Sequence, residues 1–156
     1  MNITAKHMKI GKILLLFTVC ILPFRHVAAG EEAQSQEGNT MKIRLTVNGK
    51  QLIGTLADSE TARDFASLLP LTVTLEDYAD TEKITYLPRK LSAKGAPSGS
   101  DPSVGDIAYY APWGNLALFY KDFQYSRGLV ILGKIGGGVE ALTRSDNLKA
   151  TIELVR

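Results

Sequence analysis

Asn48-Gly49 stands between two stretches of alternating apolar and polar residues: Ile43, Leu45 and Val47 before it, and the return run Gln51–Leu56 after it. Asn-Gly is the strongest two-residue hairpin signal, because both positions of the tight turn need a positive φ. Alternation with a period of two is the pattern of a strand buried on one face. The period recurs along the chain. Leu71, Val73 and Leu75 alternate with Thr72 and Thr74, and Lys83–Leu87, Asp106–Ala111, Leu116–Lys121, Leu129–Ile135 and Ala150–Val155 are further short runs bounded by turn residues. About eight strands in so short a chain call for a closed barrel, the arrangement that leaves no unpaired edge. One segment breaks the period. Ala62, Phe65, Ala66 and Leu69 recur at helical spacing, Asp58 or Ser59 can cap them, and Pro70 stops them. Gly136-Gly137-Gly138 opens a shorter helical or turn segment, Val139–Leu142, and Lys90–Val104 is a Gly/Pro/Ser-rich loop. The expected fold is mainly β: a closed eight-stranded barrel with one main helix and a short second helical segment.

The N-terminal region follows different rules. Lys6, Lys9 and Lys12 precede an apolar run, Ile13–Phe24, and Val27-Ala28-Ala29 places small residues before Gly30. A basic start, a short apolar stretch and a small-residue cut site describe a secretory signal peptide over residues 1–29. The apolar run is shorter than the roughly 20 residues a spanning helix needs. Residues 30–40 (GEEAQSQEGNT) form a polar linker with nothing to bury and are expected to be disordered. The folded domain is expected over residues 41–156. Cleavage would put it in the periplasm or outside the cell, with no contact to the membrane.

That cut removes chemistry as well as length. Residues 1–29 hold both histidines, the single cysteine Cys20 and four of the 18 Lys and Arg; residues 30–156 keep 14 basic and 16 acidic side chains, a net charge of −2. A chain without His or Cys has no Ser-His-Asp or Cys-His nucleophile system, no disulfide and no Cys/His zinc site. A charge near zero gives no footprint for nucleic acid. Gly128-x4-Gly133-Lys134 has part of a phosphate-loop spacing, but Ile135 stands where Ser or Thr would bind Mg²⁺. Asp77, Asp80 and Glu82 supply oxygens without the spacing of a calcium loop, and Glu76 with Asp106 are the remaining carboxylate pair considered for acid–base work. None of these is assigned as catalytic or metal-binding, and no cofactor is expected.

Four stretches carry a family resemblance. Asp58-Ser59-Glu60-Thr61-Ala62-Arg63-Asp64-Phe65 is similar to the P-x-T-A-x-N-F helix of cyclophilins. Leu129-Val130-Ile131-Leu132-Gly133-Lys134-Ile135 resembles their H-V-V-F-G-x-V strand. Glu82–Arg89 and Gly105–Asn115 resemble the small bacterial cyclophilin-like domain proteins, minimal versions of the same barrel. The resemblance implies an eight-stranded cyclophilin-like barrel closed by helices. It carries the isomerase chemistry over poorly. The arginine that polarises the twisting amide falls on Thr85, three residues before Pro88, and the Q-F-F pocket stretch meets Leu116–Tyr120 with no glutamine. Arg89, on the other side of Pro88, is close enough in sequence to substitute.

Seven of the 12 aromatic residues fall within positions 109–125. Trp113 lies between Pro112 and Gly114-Asn115 in a turn between two strands, where core burial is harder to satisfy. Trp113, Tyr110, Arg89 and Tyr86 are the candidate ligand-binding residues, at a concave rim site with the Lys90–Val104 loop as the opposite wall. The expected function is an exported, non-catalytic binding module for a small ligand or peptide, with weak prolyl isomerase activity as the alternative. Expressed with its own N-terminus in a bacterium, the protein should be recovered with Gly30, or a residue within a few positions of it, as its first residue. Intact-mass measurement finding Met1–Ala29 still attached to soluble protein would refute the leader.

Overall fold

The computed structural model describes residues 40–155; the leader and nearly all of the linker lie outside the described residues. The first hairpin forms as its sequence dictates. Asn48 (φ 47°) and Gly49 (φ 79°) both take positive φ and join β1 (Lys42–Val47) to β2 (Lys50–Leu56). Ser59 then caps α1 (Glu60–Ala66), its hydroxyl accepting from the Ala62 amide at 3.1 Å. The helix ends three residues short of the expected Leu69. Leu68 and Leu69 donate to the carbonyls of Phe65 and Ala66, a tightened i→i+3 exit that leads to Pro70.

The remaining strands are β3 (Leu71–Tyr78), β4 (Glu82–Tyr86), β5 (Gly99–Ser100), β6 (Asp106–Tyr110), β7 (Asn115–Phe119), β8 (Ser126–Arg127), β9 (Leu129–Ile135) and β10 (Asn147–Leu154). A 3-10 segment, Val139–Thr143, precedes β10. Eight strands close a barrel in the order β1-β10-β3-β4-β7-β6-β9-β2, with β2 returning to β1, and each pairing is antiparallel. β5, inside the Lys90–Val104 segment expected to be loop, forms a separate two-residue ladder with β8.

The lumen is solid. Ile43, Leu45, Leu52, Ile107, Leu116, Leu118, Leu132 and Ile152 fill it from the strands, and Phe65 of α1 packs among them with no exposed surface. Tyr109, 1% exposed, also points inward, and its hydroxyl accepts from the Leu91 amide at 3.1 Å. Lys83 is the one charged side chain drawn into this interior among the described residues, 1% exposed. Its ammonium donates to Asp77 Oδ1 at 2.8 Å and to the carbonyls of Ser145 (2.6 Å) and Asp146 (3.2 Å). A buried charge is tolerable only when partnered in this way.

A second apolar cluster sits outside the barrel wall. Ile84, Ala108, Ala117, Phe119 and Leu129 are buried together, with Tyr110 and Ile131 against them. β7 is therefore covered on both faces: Leu116 and Leu118 face the lumen while Asn115, Ala117 and Phe119 face the outer cluster. Phe65→Ala should empty the centre of the lumen and cost about 3–5 kcal/mol of stability, as for other buried aromatics, measured by urea unfolding. A loss below about 1 kcal/mol would show that α1 is not part of the core.

Candidate functional site

The outer face of β4, β7 and β6 is where the barrel opens to a ligand-sized space. In β4 the register opposes Glu82 to Tyr78 of β3 on one side and to Phe119 of β7 on the other. In β7 Asn115 is opposed to Tyr110. Residues directly opposite one another in an antiparallel pair share a face, so Tyr78, Glu82, Phe119, Asn115 and Tyr110 all emerge on the outside. They line a cavity of about 340 Å³ together with Trp113, Phe123, Ser126, Arg127 and Leu129.

Trp113 arches over this floor. Its ring meets Tyr78 at 5.5 Å and 87°, and Tyr110 at 5.4 Å and 83°, the edge-to-face geometry that aromatic quadrupoles favour. The side chain keeps 46% of its surface exposed. The turn that carries it is closed by the Gly114 amide donating to the Tyr110 carbonyl at 2.8 Å.

The facing wall is the Phe123–Leu129 segment, not the Lys90–Val104 loop expected from sequence. That loop braces the wall from behind. Phe123 N–H donates to the Pro102 carbonyl (3.0 Å), Gly128 N–H to the Ser98 carbonyl (2.8 Å), Ser98 Oγ and the Tyr125 hydroxyl lie 3.1 Å apart, and β5 pairs with β8. Two glycines make the bracing possible. A Cβ on Gly99 would stand 2.6 Å from the Tyr125 hydroxyl, and one on Gly128, at φ +83°, would stand 2.9 Å from Pro112 Cδ, so the wall also abuts the turn bearing Trp113.

Of the four residues singled out in the sequence, two meet here and two do not. Trp113 and Tyr110 line the cavity. Tyr86, 63% exposed, lies over a shallow depression with Thr74, Glu76, Ile84 and Thr85. Arg89 is held by the helix. Its guanidinium donates to both carboxylate oxygens of Asp64 (3.0 and 2.5 Å) and to Ser67 Oγ (3.0 Å). The bidentate bond from Arg89, reinforced by the Ser92 amide, holds the Asp64 carboxyl down to about 2. The two displacements have different causes: Tyr86, the last residue of β4, opposes Asn115 and shares the outer face but lies beyond the cavity's lining, while Asp64 offers Arg89 a fork-shaped partner.

Sequence reasoning missed Glu82 and Asn115. Glu82 lies close in sequence to Asp77 and Asp80, but the three diverge. Asp77 accepts from Lys83 and, at 2.6 Å, from the Tyr120 hydroxyl, while Asp80 pairs with Lys121 at 2.9 Å. Glu82 instead turns into the aromatic cavity, where Oε2 is buried with no hydrogen-bond partner. Burial pushes its carboxyl from 4.5 up to about 7. Asn115, 2% exposed, gives Nδ2 to the Leu116 carbonyl at 3.4 Å and leaves Oδ1 buried and unpartnered. Two idle acceptors on one cavity form a site that can receive donors. Glu76 and Asp106 make no pair: Asp106 bonds Lys134 (3.2 Å) and the Ser103 amide (2.8 Å). No cluster of three or more metal-ligating side chains occurs among the described residues.

The folded protein holds a proton on Glu82 that the unfolded chain releases above about 4.5. Stability should therefore fall as pH rises from about 4.5 to about 7, and level off beyond. Glu82→Gln should remove that part of the pH dependence and be the more stable protein at neutral pH. Carbon-detected NMR titration of the side-chain carboxyl checks the midpoint; a value near 4.5 would mean that the cavity is wet and open.

Comparisons with known proteins agree with the barrel fold. The model of a family described as "Cyclophilin-like family" matches residues 45–153. The solution structure of a hypothetical protein from Archaeoglobus fulgidus superposes with a TM-score of 0.55 at 19% identity, over 74% of this chain and 95% of that one. No functionally curated protein matches the chain.

Proposed function

The chain belongs to the cyclophilin-like family, and within that family we propose that it is an exported, non-catalytic binding module that takes a small ligand in the outer aromatic cavity. The observation carrying this reading is the pair of unpartnered acceptors, Glu82 Oε2 and Asn115 Oδ1, on the lining of a 340 Å³ space walled by five aromatic rings. Buried polar groups are almost always satisfied, and a small, largely apolar pocket with a few convergent polar atoms is the usual form of a ligand site. Export rests on the leader-like residues 1–29.

Peptide-bond isomerisation about proline faces a barrier of about 18–20 kcal/mol, and lowering it needs a donor aimed at the twisting amide. Thr85 falls at the place of the family arginine, and the neighbouring Arg89 is engaged by Asp64 and Ser67. A proline-peptide isomerisation assay at micromolar protein should show no acceleration over background. A robust rate abolished by Arg89→Ala would replace the binding-module reading with catalysis. In the positive test, a thermal-shift screen of a small-molecule library should give compounds that raise Tm and also alter the fluorescence of Trp113, the sole tryptophan. Trp113→Ala should abolish binding of those compounds while costing under about 1.5 kcal/mol of stability, well short of the roughly 3–5 kcal/mol for a fully buried aromatic. A screen without a compound of this behaviour would refute the cavity as a ligand site.

A further inference from the structure

We propose that the ligand of this cavity is a small organic ammonium ion, its charge set beside the Glu82 carboxylate and its apolar body held among Tyr78, Tyr110 and Trp113. The inference deepens the binding-module reading and rests on it. Three observations point to a cation. Two acceptors on the lining, Glu82 Oε2 and Asn115 Oδ1, are both buried and unpartnered. The aromatic rings around them have the negative quadrupole that attracts a cation, and Trp113, the strongest such surface, lies perpendicular to both Tyr78 and Tyr110 and keeps 46% of its surface exposed, so neither ring stacks flat against it. Glu82 and Tyr78 are direct cross-strand partners, which places the carboxylate beside an aromatic wall rather than at the solvent edge.

The contrast with Lys83 sharpens the point. That residue is next in sequence, faces the lumen, and has Asp77 and two carbonyls around its ammonium. The fold thus supplies a complete acceptor set for its own buried cation, one residue away from a carboxylate supplied with nothing. A neutral guest could satisfy Asn115 with a single N–H or O–H, but it would leave an ionised Glu82 uncompensated. An anion would meet Glu82 directly. Arg127, exposed on β8, is the other charge on the lining and makes no ion pair among the described residues; it gives an acidic guest its only foothold. Binding of an ammonium draws the Glu82 proton off to solvent, so affinity and protonation are linked.

The test uses benzylammonium as the probe, with benzyl alcohol as its neutral counterpart and phenylacetate as its anionic one, each followed by Trp113 fluorescence and by NMR shifts. Benzylammonium should bind, benzyl alcohol and phenylacetate should not compete with it, and its affinity should be about tenfold weaker at about pH 6 than at about pH 8 as Glu82 takes up its proton. Glu82→Gln, which keeps the shape of the side chain, should weaken binding at least about tenfold at about pH 8 and abolish the pH profile. Equal binding of benzyl alcohol, or a pH-independent affinity that survives Glu82→Gln, overturns the ammonium assignment and leaves the cavity as a binding site. Preference for phenylacetate overturns it in favour of Arg127. No binding of benzylammonium at about pH 8 also overturns it, and the library screen then decides separately whether the cavity binds anything.

Discussion

β7 has to be buried on both faces, and much of this molecule follows from that. All five of its residues, Asn115–Phe119, are enclosed. On the inward side Leu116 and Leu118 complete a lumen filled to its centre by Phe65 and Tyr109. A barrel packed in this way has no room for a guest, so any site must lie outside it. On the outward side Ala117 and Ala108 are small, and the larger residues at the margins, Phe119 and Tyr110, rise beside them. Phe119, Tyr110 and Asn115 floor the cavity that Trp113 arches over and the Phe123–Leu129 segment encloses.

That enclosure depends on parts that look accessory. The two-residue ladder of β5 and β8, the hydrogen bonds that the Phe123 and Gly128 amides donate to the loop ahead of β6, and the glycine at position 99 together fix a stretch that has little regular structure of its own. Without it Phe119 and Glu82 would face water, and the Glu82 carboxyl would titrate like any other. The long loop is thus a brace whose effect is felt at a carboxylate it does not line.

Period-two alternation was enough to place the barrel, because a half-buried strand must alternate and a tight hairpin must have its Asn-Gly. The helix was placed by its capping serine and by Phe65, and overextended only where Leu69 continues the apolar spacing in a tightened exit. The cyclophilin-like stretches around residues 58–65 and 129–135 pointed to the same fold. The site was legible in part. Trp113 stood out because a turn offers a tryptophan little cover, and Tyr110 because it lies close to that turn. Glu82 did not stand out, since Asp77, Asp80 and Glu82 read as one acidic turn. The signal that would have separated it is the parity of β4, which puts Glu82 on the same face as Ile84. Arg89 misled for the opposite reason: its partner Asp64 is 25 residues away, and no local spacing announces an ion pair across that distance.

The alternation of β7 also ties the cavity to the correctness of folding. Asn115 and Phe119 belong to the outside only in the register observed, with Tyr110 and Glu82 as their opposites. Because the side-chain period is two, a slip of one residue would exchange the faces, driving the Asn115 amide into the lumen and turning Leu116 and Leu118 out. No partly correct intermediate would satisfy both sides. The same strand therefore acts as a proofreading element: a chain that has mispaired it loses its interior and its recognition surface together, and misregistered molecules cannot persist as folded but inert competitors.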